Sequence, residues 1–310
     1  MPLKTLALDV GPAGAGKTVS ATLRESAGIS HSVARGLVDQ GLVLLNGRAV
    51  TDPARRLAAG DRIEASFDPK TRYHQKRAAA PTSGFKVLLE DDQLVVVEKQ
   101  AGLLTVPSPG HQGESLADRI VKLYLTRGFK TPRLWVVHRI DRFTSGLVLF
   151  AKQEPAAASL VAQFQRRTAR REYLAICEGV PHPPEGRLVS WLAQNPKSLK
   201  VRQTKDRARG QRAVCTYRTE EVLTRAALLR VTLETGRRNQ IRVQLSEIKH
   251  PIVGDRSYGR PSPLIARAAL HAARLGFVHP ANLLPVRVEC PLPADMRKLL
   301  RRLRRTPSPP

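Results

Sequence analysis

The sequence has few aromatic side chains, few cysteines and few acidic residues. Aromatic residues make up 5% of the 310 residues, which is too little for a broad stacking surface that binds single-stranded nucleic acid. The three cysteines, Cys177, Cys215 and Cys290, stand far apart in the chain. Their isolation argues against a C-x-x-C zinc site and against a disulfide framework, and it suits a reducing compartment.

Long hydrophobic runs are also lacking. The chain contains no stretch of about 18 apolar residues and no signal-peptide layout, so we expect a cytoplasmic protein without a membrane partner. Hydrophobic residues nevertheless make up 42% of the chain, which is enough for a substantial core. The length suits one large domain and one small one, and nothing in the sequence demands more than a monomer.

Positive charge is what the sequence has in excess. Lys and Arg number 52 against 26 acidic residues, which gives a formal net charge of +26. A protein this basic most often binds a polyanion, and nucleic acid is the expected partner. The charge alone leaves a second interpretation open, in which an arginine-rich surface serves only solubility.

A phosphate-binding motif stands near the amino terminus. GPAGAGKT, Gly11 to Thr18, satisfies G-x-x-x-x-G-K-[ST] and follows a short apolar run. A true P-loop also needs a parallel sheet and an acidic strand end, whereas two helical patterns at about 18–27 and 32–40 and then a hairpin follow here. We therefore interpret the segment as the entry into a helix that Thr18 caps, and we expect no nucleoside triphosphate to bind.

Changes of composition divide the chain into four parts. Residues 1–67 form a small unit with a core at about 17–66, and the polar segment 68–84 has the composition of a linker. A large, strand-rich domain is predicted for 85–295. Residues 296–310 combine a stripe of Met and Leu with basic residues, which predicts a helix that either touches RNA or covers the domain.

The segment HRIDRFTSG, residues 138–146, is the first candidate for chemistry. It places Asp141 in a tight turn between two apolar strands, and rigid mounting of this kind suits a nucleophile or a general base. Taken alone, the segment is equally consistent with an aspartate that only bonds to its own turn.

Further segments make the pattern specific. The stretches EDDQLVVVEKQAGLLTVP, REYLAICEG, ETGRRNQIRVQLSEIKHPIVGDRSYGR and LHAARLGFVHP, in this order around HRIDRFTSG, resemble the RluA-type pseudouridine synthases over residues 85–290. The amino-terminal unit is similar to the small RNA-binding domain of ribosomal protein S-four, which often precedes this catalytic domain. The resemblance implies an α+β protein: a catalytic domain with a mixed, mostly antiparallel sheet, and a small α/β RNA-binding domain.

The resemblance also implies roles for individual residues. Asp141 matches the catalytic aspartate, Tyr173 the active-site tyrosine, and Arg242 the arginine that pairs with the aspartate. Arg139 matches a residue that enters the RNA stack when the target uridine leaves it. The implied reaction needs no cofactor and no metal. From the residues alone, Tyr173 can also be a packed core residue, and Arg242 can belong to an ordinary structural ion pair.

Two stretches depart from the family pattern. Arg238, Asn239 and Gln244 replace the residues usual around NQIR, and Glu98 and Gln100 replace the usual Asn and Pro of VEKQAG. These changes affect the expected geometry and the choice of RNA site, but they leave the aspartate, the tyrosine and the arginine in place.

A basic segment supplies further RNA-binding candidates. Residues 196–212 contain seven Lys or Arg and one acidic residue, and they predict a loop or a hairpin that holds phosphates or, alternatively, a solvated insertion. The predicted RNA-binding side chains, besides that of Arg139, are those of Arg142, Lys200, Arg202, Lys205, Arg207 and Arg209.

The expected function is isomerisation of specific uridines to pseudouridine in structured RNA. Ribosomal RNA is the first expected substrate and transfer RNA the second. An RNA-binding or ribosome-assembly factor that keeps the fold without turnover is the alternative, because the residues around NQIR are altered.

Overall fold

The computed structural model describes residues 4–39, 42–50, 52–67, 84–108, 113–196, 198 and 200–305. The chain divides into two compact units, residues 1–81 and 82–310, and each is described by itself. The predicted linker at 68–84, apart from Gly84, and the last five residues lie outside the described residues.

The smaller unit combines two helices with a four-stranded sheet. Its elements are β1 (Lys4–Asp9), a short 3-10 helix (Pro12–Gly14), α1 (Val19–Ala27), α2 (His31–Asp39), β2 (Val43–Leu45), β3 (Arg48–Ala49) and β4 (Arg62–Phe67). The predicted Thr18 cap is confirmed, since its hydroxyl accepts a hydrogen bond from the N–H of Ala21 at 3.3 Å. At the hairpin between β2 and β3, Asn46 and Gly47 both have positive φ, 50° and 74°, as a two-residue type I′ turn requires.

The sheet of this unit decides how the GPAGAGKT segment is interpreted. Its strand order is β1-β4-β2-β3, and every neighbouring pair is antiparallel, with Lys4 opposite Phe67 at one end. The predicted core at about 17–66 is therefore too short, because β1 forms an edge strand of the same sheet. The motif lysine, Lys17, forms an ion pair with Glu25 at 2.8 Å. The parallel sheet of a P-loop fold is absent from the described part of this unit.

The larger unit is built on one long sheet. Its strands are β5 (Phe85–Glu90), β6 (Leu94–Lys99), β7 (Trp135–Val136), β8 (Ser145–Ala151), β9 (Arg170–Glu178), β10 (Glu185–Gln194), β11 (Val201–Gln203), β12 (Gln211–Leu223), β13 (Ala226–Leu233), β14 (Leu270–Val278) and β15 (Pro285–Glu289). Its helices are α3 (Leu116–Thr126), α4 (Glu154–Gln165), α5 (Gln240–Glu247) and α6 (Ala294–Arg305).

The strand order is β11-β10-β12-β13-β9-β14-β8-β6-β5, with β15 beside β14 and β7 beside β8. The pair β14–β8 is parallel and the other pairs are antiparallel. The predicted α+β class with a mixed, mostly antiparallel sheet is confirmed. β8 pairs with β14 at Ser145 and Gly146. The start of β8 therefore lies beside β14, near the middle of the sheet.

Both faces of the sheet are covered where β6 and β8 lie. Val95 and Val97 of β6 pack in one core with α3, whereas Leu94 and Val96 pack in a second core with α4. Successive side chains of a strand point to opposite faces, so a strand covered on both sides is apolar throughout. This explains why β8 is buried at all seven of its positions.

The carboxy-terminal helix covers the domain. The apolar stripe of α6, which includes Met296, Leu299 and Leu300, is buried in the same core as α3. The sequence leaves two alternatives for this helix, contact with RNA or coverage of the domain. The burial of its apolar face supports coverage of the domain. None of the helices that the structure describes is both long and apolar enough to cross a membrane.

Candidate active site

Asp141 lies in the loop that joins β7 to β8. The prediction of a tight turn between two buried strands is wrong in its first half, because β7 has only two residues and Val136 is exposed. Before the aspartate, the backbone of Ile140 bonds to a side chain rather than to a strand. Thr105 donates its hydroxyl to the Ile140 carbonyl at 2.8 Å and accepts from the Ile140 N–H at 3.3 Å.

Lys99 fixes the other side of this loop. Its Nζ donates to the backbone carbonyls of Gln100, Leu103 and Arg142 at 3.0, 2.7 and 3.1 Å. The side chain is fully buried, and burial lowers the pKa of its ammonium group to about 7. A single side chain thus ties the residue that follows Asp141 to the end of β6.

Arg242, on α5, lies between two carboxylates. Its Nε and Nη2 donate to Asp255 at 2.7 and 2.8 Å, while its Nη1 lies 3.5 Å from Oδ2 of Asp141 and donates to Asn239 at 2.9 Å. The side chain of Asp255 has no exposed surface. Burial opposes the charge of Arg242, but the hydrogen bonds to Asp255 prevail and raise the pKa of the guanidinium. The closer partner of Arg242 is therefore Asp255, which the sequence analysis did not single out.

Tyr173 lies on β9, on the same face as Arg171, because alternate residues of a strand share a face. The tyrosine is 7% exposed, and burial raises the pKa of its phenol to about 12. The phenol is therefore protonated at neutral pH.

A cavity of about 500 Å³, a volume typical of ligand sites, lies at this place in the domain. Asp141, Tyr173 and Arg242, the three predicted catalytic residues, all belong to its lining. Positive charge predominates, since the acidic side chains in the lining are those of Asp141 and Glu234, and the basic ones include Arg139, Arg167, Arg171, Arg237 and Arg242. Such a lining attracts a polyanion.

Comparison with known proteins identifies the family. The family model described as RNA pseudouridylate synthase matches residues 93–247. The chain is 34% identical over 291 residues to the ribosomal large subunit pseudouridine synthase D of Zymomonas mobilis. The match covers 89% of this chain and 90% of that protein. The chain belongs to the RNA pseudouridylate synthase family. It is thus an RNA pseudouridine synthase, as the resemblance of HRIDRFTSG and its companion segments implies.

Other comparisons agree. The chain is 31% identical to the ribosomal large subunit pseudouridine synthase D of Haemophilus influenzae. The match covers 98% of this chain and 96% of that protein. The solved structure of human RNA pseudouridylate synthase domain containing 4 matches with a TM-score of 0.60 and 26% identity, over 73% of this chain and 94% of that chain. A second family model, described as S4 domain, matches residues 24–63 and confirms the predicted kinship of the smaller unit.

The two arginines beside Asp141 lie differently in the synthase. Arg139 is exposed and belongs to the cavity lining. Arg142 lies outside this lining, donates from Nε to the carbonyl of Gly102 at 2.9 Å, and stands 5.4 Å from the centre of the exposed Phe143 ring.

The described residues of the basic segment 196–212 are not part of the cavity lining. The segment includes the turn between β10 and β11, then β11 itself and the loop to β12. The basic side chains predicted to bind RNA here are not part of the lining around Asp141: Lys200, Arg202, Lys205, Arg207 and Arg209. Tyr258 connects the two regions, because its ring lies 5.8 Å from Nζ of Lys200 and 5.0 Å from the guanidinium of Arg242.

Three residues of the site escape sequence reasoning: Lys99, Arg171 and Asp255. Each stands in a segment that carries the family resemblance, but no pattern within those segments distinguishes them as buried charges. Their burial depends on contacts with distant segments, as the bond from Lys99 to Arg142 illustrates. Among the described residues, no group of three or more His, Cys, Asp or Glu is arranged to hold a metal ion.

Proposed function

We propose that this synthase isomerises specific uridines in large-subunit ribosomal RNA and that Asp141 is its attacking carboxylate. The relatives from Zymomonas mobilis and Haemophilus influenzae are named ribosomal large subunit pseudouridine synthases, which supports the choice of RNA. One observation carries the role of Asp141: its carboxylate lines a basic cavity and lies 3.5 Å from an arginine that a second, buried carboxylate holds in place.

The reaction breaks the bond between ribose C1′ and uracil N1 and forms a bond between C1′ and C5. The proton that leaves C5 is matched by the proton that N1 gains, so no atom and no electron is exchanged with a co-reactant. A carboxylate can act covalently on C6 of the base or on C1′ of the ribose. Both routes start from the same position of Asp141 beside the flipped nucleotide.

Arg242 supports the aspartate electrostatically. A cation within about 4–6 Å favours the charged form of a carboxylate, and only the charged form is a nucleophile. Because Asp255 takes two donors of the guanidinium, Arg242 keeps one orientation and presents Nη1 to Asp141.

Tyr173 and Arg139 support the flipped nucleotide. A protonated phenol is a poor base, so the raised pKa of Tyr173 favours a role in packing against the uracil ring over removal of the C5 proton. Arg139, exposed at the edge of the cavity, is suited to fill the space that the uridine leaves in the RNA stack.

Pseudouridine mapping tests the proposal. We would sequence total RNA from cells with and without this gene, and then from cells rescued with the unchanged protein or with Asp141→Asn. We expect discrete sites in large-subunit ribosomal RNA to disappear without the gene and to return only with the unchanged protein. The purified Asp141→Asn variant should bind the corresponding RNA about as tightly as the unchanged protein, because the fold and the basic lining remain.

The matched control is Asp92→Asn, which changes an exposed aspartate in the turn between β5 and β6. This variant should restore every site. Loss of sites confined to transfer RNA would refute ribosomal RNA as the substrate. Restoration of sites by Asp141→Asn would refute the catalytic role of the aspartate.

A further inference from the structure

Arg171 is a buried cation at the wall of the catalytic cavity. Only 8% of the residue is exposed. Its Nη2 makes one long hydrogen bond, 3.5 Å, to the backbone carbonyl of Glu234, and its Nε has no hydrogen-bond partner among the described residues. The carboxylate of Glu234 is engaged elsewhere, since it accepts two hydrogen bonds from Arg187 at 2.9 and 3.0 Å.

A second buried arginine shows what Arg171 lacks. Arg267 is also 8% exposed, but it donates twice to the carboxylate of Asp295, at 2.7 and 3.0 Å. No carboxylate of the described residues lies within ion-pair distance of Arg171. Burial of an unpaired charge is unfavourable, and burial accordingly lowers the pKa of Arg171. Within the described part of the chain, the free protein thus holds a positive charge at Arg171 that no carboxylate neutralises.

The surroundings hold the guanidinium at the cavity. Its central carbon lies 5.4 Å from the centre of the Phe164 ring, and that ring stacks on His138 at 4.7 Å. On another side, a Cβ on residue 236 would lie 2.4 Å from Nη1, so Gly236 leaves the space that the guanidinium needs. The side chains of Arg171 and Tyr173 share one face of β9, so the cation stands beside the tyrosine that packs against the target base.

We propose that Arg171 binds a backbone phosphate of the RNA strand that carries the target uridine. This inference rests on the proposed function, because the strand must enter the cavity that contains Asp141. RNA supplies one anion per nucleotide, and the planar guanidinium matches two phosphate oxygens. A phosphate neutralises the buried charge, which a neutral edge of the base does not.

The first test measures stability and affinity in the full chain. In Arg171→Met, the unfolding temperature should stay the same or rise, because an unpaired buried charge is replaced by an apolar side chain. Affinity for a hairpin that contains the mapped uridine should fall roughly 10- to 100-fold, as for loss of a charged hydrogen bond. The slope of log affinity against log salt should decrease by about one. Arg171→Lys should recover part of the affinity.

The matched control is Arg170→Met, which removes a mostly exposed arginine from the other face of β9. Its affinity should change less than about threefold, because its side chain lies on the face of β9 opposite to Arg171 and is not part of the cavity lining. A drop of the unfolding temperature in Arg171→Met with unchanged affinity would assign Arg171 a structural role and overturn the proposal.

A second test separates phosphate from base. Single methylphosphonate linkages, which are neutral, replace each linkage around the uridine in turn. One neutral linkage should weaken binding to the unchanged protein and have no further effect on Arg171→Met. Additive losses at every linkage would show that Arg171 interacts with none of these phosphates and would overturn the proposal. If mapping finds no site, the proposed function fails, and the salt slope with decauridylate still tests Arg171 independently.

Discussion

The substitution Asp255→Asn tests whether this buried carboxylate fixes Arg242. Asparagine has nearly the same size, and its Oδ1 can still accept from the N–H groups of Ser257 and Tyr258, now at 2.9 and 3.2 Å. Its amide nitrogen takes the place of Oδ2, where Nε of Arg242 now donates at 2.7 Å. The change therefore removes one charge and one hydrogen bond and sets two donors against each other.

The structure gives the size of the effect. The side chain of Asp255 is 0% exposed and that of Arg242 is 15% exposed. Breaking a buried ion pair costs roughly 3–5 kcal/mol, and since Arg242 keeps some exposure and its contact with Asp141, we expect about 3 kcal/mol. In a domain of 150–250 residues, this lowers the unfolding temperature by roughly 6–12 °C. A guanidinium displaced by about 1 Å should lower kcat about 100-fold.

Calorimetry measures the unfolding temperature. Single-turnover kinetics on RNA with the mapped uridine measure the chemical step, at a temperature well below the unfolding temperature of the variant. Asp92→Asn again serves as the control and should change the free energy of unfolding by less than about 0.5 kcal/mol. An unfolding temperature within about 2 °C of the unchanged protein would refute the buried ion pair. An unchanged single-turnover rate in the folded variant would refute the positioning of Arg242 by Asp255.

Two further predictions concern the support of the Asp141 loop. In Gly146→Ala, the new Cβ would lie 2.2 Å from the Ala272 carbonyl oxygen, at a residue whose φ is +113°. The urea midpoint should therefore fall by an amount equivalent to about 3–5 kcal/mol in the free energy of unfolding. An unchanged midpoint would contradict this. The folded pKa of Lys99, about 7, lies below its unfolded value, so the unfolded state binds more protons above pH 7. The stability of the unchanged protein relative to Lys99→Met should therefore rise by about 1.4 kcal/mol per pH unit from pH 7 to about 10; parallel urea-unfolding profiles would contradict it.

Local signals in the sequence predicted the elements well. The Thr18 cap and the hairpin that follows the two helices of the smaller unit result from capping and turn chemistry, which act over a few residues. The loop around Asp141 was harder to predict. Its shape depends on Thr105, and no local rule identifies a hydroxyl so far away in the sequence as the partner of Ile140.

The site was predictable only as far as the resemblance extends. It identified Tyr173 and Arg242, which the structure brings into the cavity with Asp141. It did not identify Asp255, because whether an aspartate is buried against an arginine is decided by tertiary packing. The same holds for Arg171, whose guanidinium lies against Phe164 of α4 and close to Gly236.

Two of the three altered residues around NQIR, Asn239 and Gln244, have distinct places in the structure. Asn239 takes a left-handed conformation, with φ of 55°, and accepts a hydrogen bond from Nη1 of Arg242 at 2.9 Å. Gln244 is buried and bonds to Ser190 at 2.9 Å and to Cys215 at 3.3 Å, and it is not part of the cavity lining. One change thus touches the arginine of the site, and the other belongs to the core.

The arrangement around Arg242 meets two requirements of the nucleophilic role proposed for Asp141. A nearby cation must stabilise its charge, but a two-bond pair with that cation would occupy both carboxylate oxygens. Asp255 accepts the two-bond pair instead, at 2.7 and 2.8 Å, and leaves Asp141 a single contact at 3.5 Å. Because Asp255 makes the two closer contacts with the guanidinium, the buried Asp255, and not Asp141, should determine the orientation of Arg242.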